Sequence, residues 1–247
     1  GGPVYYIKKG VNNYKLSMLY SIIFLLAYIV GFLGIQSNTI VKSINMVFNI
    51  SPITISLLIA LVTAYIIFNP LKKIVRFVSK LVPIMGLIYI FLGLIIIINN
   101  LDKLNNVFNL ILSDAFSVKS TSISMILISI QKCLFASETG IGSSAIASGS
   151  TNDIPKNQGL LQVFGVYFTI MIICTITAFI ILGTGYDIYN KDVNGIEILL
   201  SVFRVNFGNI GSILLCIITV LFAFSTILSC YFYGVNNLKY INKKLKI

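Results

Sequence analysis

The run FASETGIGSSAIASG at residues 135–149 decides how this sequence is read. It sits inside a long apolar stretch, yet it holds a carboxylate, Glu138, among hydroxyls and glycines. A charged acid at membrane depth costs about 2.5–3.5 kcal/mol on insertion scales, and such residues face a bundle interior or an aqueous cavity. Gly140 and Gly142 stand two residues apart, and each weakens a helix by about 1 kcal/mol relative to alanine. Hydroxyls at Ser137, Thr139, Ser143 and Ser144 can satisfy backbone groups that a break would free. Gly140, Ser144 and Ser148, spaced by four, would also serve close helix packing. Packing alone leaves the carboxylate unexplained. The run therefore predicts a discontinuous membrane helix, the usual pointer to a transporter's substrate and ion site.

The rest of the chain agrees with a lipid environment. Of its 247 residues 57% are hydrophobic and 10% charged, and the mean hydropathy is +0.96. Soluble domains carry about 25% charged residues, so this surface belongs in a bilayer. A span needs about 20 mostly apolar residues, and six stretches supply them: roughly 16–36, 52–69, 81–99, 121–148, 160–183 and 210–233. They are continuous Ile, Leu, Val and Phe runs without the alternation of barrel strands. The expected fold is all-α, a polytopic transmembrane helical bundle forming a single domain over 1–247.

Histidine is absent, which removes Ser-His-Asp and Cys-His catalysis, His-bearing metalloprotease motifs and His proton relays. Cys133, Cys174, Cys216 and Cys230 lie far apart in apolar runs and read as small buried packing residues. No nucleophile–base pair stands out, so no enzyme, catalytic residue or cofactor is expected. Lysine-rich, Ile- and Asn-rich usage points to AT-rich coding and a bacterium.

Basic residues set the orientation. One set of span ends holds Lys8, Lys9, Lys15, Lys72, Lys73, Arg76, Lys80, Lys156, Lys239, Lys243, Lys244 and Lys246. The opposite set holds only Lys42, Lys103, Lys119, Lys191 and Arg204, and Lys132 falls within a span. The richer set is read as cytoplasmic, with both ends of the chain inside. The +11 net charge is then a topology signal with attraction to anionic lipid; nucleic-acid binding is disfavoured because the charges are dispersed over loops. Residues 100–120 and 186–209 carry apolar positions at helical spacing and read as interfacial amphipathic segments. The chain starts at Gly1 without methionine, and a fragment truncated at both ends is expected.

Ser225 and Thr226, adjacent inside the last apolar run, offer two hydroxyls on one turn to a hard cation. Gln36 closes the first run in Gly34-Ile35-Gln36-Ser37-Asn38.

These motifs together resemble the alanine/glycine:cation symporters, the sodium:alanine symporter family. Gly1-Gly2-Pro3-Val4-Tyr5-Tyr6-Ile7 looks like its GGPMYYI loop, Gln36-Ser37-Asn38 like QSNS, and Leu81-Val82-Pro83-Ile84-Met85 like LVPFM. Phe135 to Ala147 is similar to FSNEAGLGSAPIA, Cys174-Thr175-Ile176-Thr177-Ala178 to CTITA, and Phe222 to Leu228 to LFAFTTILGW. Ser137, Ala145 and Ser148 depart from the usual Asn, Pro and His, and Asn69-Pro70 replaces a glycine pair.

The resemblance implies a leucine-transporter-type fold (LeuT-like, APC superfamily), two inverted five-helix repeats of which this chain would supply helices three to eight. It implies sodium-coupled symport of a small neutral amino acid, alanine or glycine, across the plasma or inner membrane. Sodium would be the coupling ion and the lipid bilayer the surroundings. By the same resemblance Gln36, Phe135, Ser137, Thr139 and Gly140 would contact substrate. The Phe222 carbonyl with the Ser225 and Thr226 hydroxyls would bind the ion. Glu138 and Gly142 would hold the helix break together. The rival expectation is a membrane receptor or subunit that binds without transporting.

Overall fold

The computed structural model describes residues 1–68, 71–116, 123–184 and 195–242, with the backbone alone over 71–79. Every regular element among them is helical. The helices are α1 (Pro3–Gly10), α2 (Tyr14–Phe48), α3 (Pro52–Ile67), α4 (Leu71–Asn99), α5 (Leu101–Ala115), α6 (Ile123–Ser137), α7 (Ser143–Ser148), α8 (Pro155–Gly183) and α9 (Ile196–Ile241). The chain forms two compact units. The first takes Gly1, Pro3–Tyr89 and Tyr189–Ile247; the second takes Gly2 and Ile90–Ile188.

By length and composition, four described helices can cross a bilayer: α2, the Lys80–Asn99 part of α4, α8 and α9. The apolar α3 and α6 are shorter, at 16 and 15 residues. At 1.5 Å per residue they reach about 24 and 22 Å, short of the ~30 Å hydrocarbon core. Asn69 and Pro70, which end the second expected span, lie outside the described residues, as do residues 117–122, 185–194 and 243–247.

Local signals fix the ends. Asn13 caps α2 by accepting the Leu16 amide at 3.0 Å. Ser51 caps α3 by accepting the Thr54 amide at 3.3 Å, with Pro52 at the first helical position. Asn49 ends α2 in the left-handed region, φ 56°. Several expectations need correction. The first span does not stop at residue 36 but runs on to Phe48. Its tail stays helical because Ile40 and Ile44 pack on the Ala223 and Ile227 core. Thr39 donates to the Ile35 carbonyl at 2.9 Å and Ser43 to the Thr39 carbonyl at 2.7 Å, which satisfies their hydroxyls within the helix. The GGPVYYI stretch is no loop: Pro3 onward is α1. The last span, expected from 210, is the second part of α9, whose earlier part was expected as an interfacial segment. Gly208, at φ 65° and ψ −157°, marks the kink between them. The other segment expected to be interfacial forms α5 over Leu101–Ala115, with Val107 buried. Of the cysteines, only Cys216 and Cys230 are buried; Cys133 and Cys174 are exposed on α6 and α8.

In the first unit α2 packs along α9. Ile40, Ala223 and Ile227 form the contact core, with Leu33, Ile44, Ile59, Val220 and Phe224 against it. Towards the start of α2 the contact turns polar: the Ser17 and Tyr240 hydroxyls lie 2.6 Å apart, and Ser21 donates to the Asn237 side-chain oxygen at 3.3 Å. Between these ends Phe24, Tyr28 and Phe32 stack at 4.2 and 4.6 Å, running into a π-helical turn at Ala27–Phe32. Tyr240 also meets Tyr5 of α1 edge-on at 5.3 Å. In the second unit α4 lies against α8, where Gly93 meets Ile176 and Ile180, and α8 carries its own π-helical turn at Thr169–Cys174.

Candidate functional site

The expected break is present in the second unit. Helix α6 ends at Ser137, and Glu138 follows with φ 51°, Gly140 with 83° and Gly142 with 102°, before α7 begins at Ser143. A non-glycine residue in left-handed backbone costs about 1–2 kcal/mol, so Glu138 is held there by its surroundings. The Thr139 amide donates to the Ser137 hydroxyl at 3.3 Å, and the Ile141 amide to the Glu138 carbonyl at 3.3 Å. The Ser137 hydroxyl thus covers one backbone amide that the break frees, the role foreseen for the hydroxyls, and a backbone bond covers another. Ser143 and Ile146 are buried, whereas Thr139 and Gly140 are exposed. Phe135, Ser137, Glu138 and Gly142 are half-buried. Gly2 belongs to this unit and abuts α7: a Cβ there would stand 2.7 Å from Ile146 Cγ1.

Gln36 and the oxygen cluster belong to the first unit. Ser225 donates to the Phe222 carbonyl at 2.7 Å and Thr226 to the same carbonyl at 3.1 Å. Three oxygens thus converge on one turn of α9. Ser229 donates to the Ser225 carbonyl at 3.1 Å and extends the column, a residue that the sequence reading passed over. Phe222, Ser225, Thr226 and Ser229 recur at three- and four-residue steps, so they share a face. It is opposite the Val220, Ala223, Phe224 and Ile227 face that packs on α2. Gly86 of α4 comes close there, its Cβ position 4.0 Å from the Phe222 ring. Gln36 falls between Leu33 and Ile40 on the α2 stripe. The fold therefore gives Gln36 and the Ser225–Thr226 pair to different sides of α9.

Among the described residues no group of three or more Cys, Asp or Glu converges. A cation in this cluster would meet neutral hydroxyl and carbonyl oxygens, the donor type that hard ions take. Outside the apolar segments, Asp153 is held below its ordinary value of 3.8. The Ile154 amide donates to it at 2.7 Å, and the Gln158 side chain adds a bond at 3.1 Å.

The sequence reading missed the Ser17–Tyr240 and Ser21–Asn237 pairs and the Phe24–Tyr28–Phe32 stack. The signal existed: residues 17, 21, 24, 28 and 32 follow one another at three- and four-residue steps.

Known proteins match along the whole chain. The amino-acid carrier protein AlsT of Bacillus subtilis (strain 168) is 32% identical over 246 residues, covering 98% of this chain and 52% of its own length. The probable sodium/glutamine symporter GlnT of the same organism is 30% identical over 253 residues, covering 100% and 52%. The sodium/alanine symporter AgcS of Methanococcus maripaludis is 26% identical over 252 residues, covering 98% and 55%. The chain spans about half the length of these relatives. The family described as the sodium:alanine symporter family matches residues 1–247. With helices long and apolar enough for a multi-pass membrane protein, this chain belongs to the sodium:alanine symporter family.

Proposed function

We propose that the protein carrying this chain is a secondary transporter of the plasma membrane that couples sodium entry to uptake of a small neutral amino acid. The observation that carries the reading is the break at Glu138–Gly142 in an apolar segment, because discontinuous helices form the midplane sites of such transporters. Phe135, Ser137, Thr139 and Gly140 are the substrate contacts in this reading, all of them at the break. Glu138 and Gly142 hold the broken ends. The second support is the triad of oxygens at Phe222, Ser225 and Thr226, which supplies half of a sodium site. The names of the relatives agree in class, though they differ between alanine and glutamine.

In this reading the chain crosses six times within a leucine-transporter-type inverted-repeat fold, and both of its ends face the cytoplasm. The short α3 and α6 cross with adjoining residues or local thinning of the bilayer. Sodium shifts the conformational equilibrium only through its differential affinity for the two states, so removing its ligands should uncouple transport. The full-length protein in proteoliposomes is expected to take up alanine faster with an inward sodium gradient. Ser225→Ala with Thr226→Ala should abolish that dependence. Because both hydroxyls already bond back to their own helix, stability should change by only about 0.6 kcal/mol per lost bond. Uptake that ignores sodium, or ignores the double substitution, refutes the reading.

A further inference from the structure

A second feature lies on the first unit where α9 kinks. A cavity of about 260 Å³ is lined by Met46 and Val47 of α2, Leu200 and Arg204 before the kink, and Ser212 and Ile213 after it. It falls short of the roughly 300 Å³ at which pockets enclosing a drug-sized ligand begin, so it suits part of a larger molecule. Gly208 turns the chain, and beyond it Gly211 lies so close to the first part of the helix that a Cβ would stand 2.6 Å from the Phe203 carbonyl.

Its charge is unbalanced. Lys42, one turn before Met46, pairs with Glu197 at 3.4 Å, three residues before Leu200. Arg204 has no such partner among the described residues. The cavity wall is also continuous with an apolar surface: Ile210, Ile213, Leu214 and Ile217 are all exposed and recur at three- and four-residue steps along α9. Ile213 belongs to both the cavity and this stripe. An exposed guanidinium at the end of an exposed apolar column has the form of a headgroup above its acyl chains.

We propose that this cavity seats the phosphate of an anionic phospholipid, with Arg204 as its counter-ion and the acyl chains along Ile213, Leu214 and Ile217. The site is independent of whether the protein moves an amino acid. The test uses full-length protein in detergent with phosphatidylglycerol or phosphatidylcholine added, read by native mass spectrometry and melting temperature. Phosphatidylglycerol should be retained preferentially and raise the melting temperature more. Arg204→Gln should weaken its binding about fivefold, the equivalent of ~1 kcal/mol per basic residue at an anionic lipid surface. Arg204→Lys should keep most of it. Should the glutamine variant fail to fold, wild-type protein with a photoreactive acyl chain on phosphatidylglycerol gives the answer, with adducts expected at Ile213, Leu214 and Ile217. Equal retention of the two lipids, full binding by Arg204→Gln, adducts confined elsewhere, or equal stabilisation by inorganic phosphate alone would each overturn the proposal.

Discussion

Replacing Gly93 with alanine tests the α4–α8 packing. The added Cβ would stand 2.5 Å from Ile176 Cγ2 and 3.0 Å from Ile180 Cδ1, where ordinary contact begins at 3.4 Å. The two neighbours differ in what they can yield. Ile180 Cδ1 is the far end of a rotatable chain. Ile176 Cγ2 is a branch methyl on Cβ, and a β-branched residue in a helix has one strongly preferred χ1. Relief near Ile176 therefore requires the helices to separate by about an ångström, and overpacking of this kind costs about 1–3 kcal/mol. The relatives are about twice this length, which scales the shift to roughly 1–2 °C per kcal/mol, so the full-length protein in detergent should melt about 1–6 °C lower. The assay is a thermal scan at fixed rate on wild type, Gly93→Ala, Ile176→Ala and the double variant. Ile176→Ala alone loses burial and costs about 2–5 kcal/mol, but it opens the space that the new methyl needs. The double variant should thus be less destabilised than the sum of the singles by about 0.5–3 kcal/mol, the range for residues in contact. An unshifted Gly93→Ala, or strict additivity in the double variant, would show that α4 and α8 do not meet at this glycine.

Other expectations follow from single sites. Gly208→Ala forces a side chain into φ 65° and ψ −157°, a region essentially reserved for glycine, and should lower stability by about 1–3 kcal/mol; an unchanged melting temperature would argue for a continuous helix. Asn237→Leu takes the side-chain acceptor from the buried Ser21 hydroxyl but leaves the Asn237 carbonyl at 3.4 Å, so the loss should be about 0.5–1.5 kcal/mol. Ser21→Ala added to it should recover part of that loss in the same melting assay. Asp153 has a folded-state value below its unfolded one, so its stabilising effect is present above the unfolded value and fades as pH falls through the folded value. A carboxyl resonance for Asp153 that titrates at or above 3.8 would contradict the two hydrogen bonds it accepts from the Ile154 amide and the Gln158 side chain.

Much of the helical layout was readable because the apolar runs are long and the breakers strong. Glu138, Gly140 and Gly142 announced their break, since neither a charge nor paired glycines suit a continuous membrane helix. Other features left weaker traces. The extension of α2 past Gln36 rests on Ile40 and Ile44 packing against α9, with the Thr39 and Ser43 hydroxyls turned back on the helix, which composition does not distinguish from a polar loop. A π-helical turn such as Ala27–Phe32 has no side-chain signature of its own. The exposure of Cys133 and Cys174 reflects which side of each helix faces outward, and uniformly apolar runs do not encode that. In the oxygen cluster on α9, the sequence pointed to Phe222, Ser225 and Thr226 but not to Ser229, which bonds to the Ser225 carbonyl. It also placed Gln36 at a helix end, whereas its neighbours Leu33 and Ile40 put it on the packing stripe.

The polar contact between α2 and α9 also has a timetable. Ser17 and Tyr240 are 223 residues apart, so at about 5–20 residues per second of synthesis the serine exists for roughly 10–45 s before its partner is made. Throughout that interval the Ser17 hydroxyl has a local acceptor, the Tyr14 carbonyl at 2.9 Å in the folded chain. The first long helix can therefore enter the bilayer with that group satisfied and wait, and the last helix completes the contact by adding a bond. Slowing synthesis between the two should leave assembly intact, whereas losing the final residues of α9 should cost α2 its Ser17–Tyr240 bond while the contact at Ile40, Ala223 and Ile227 persists.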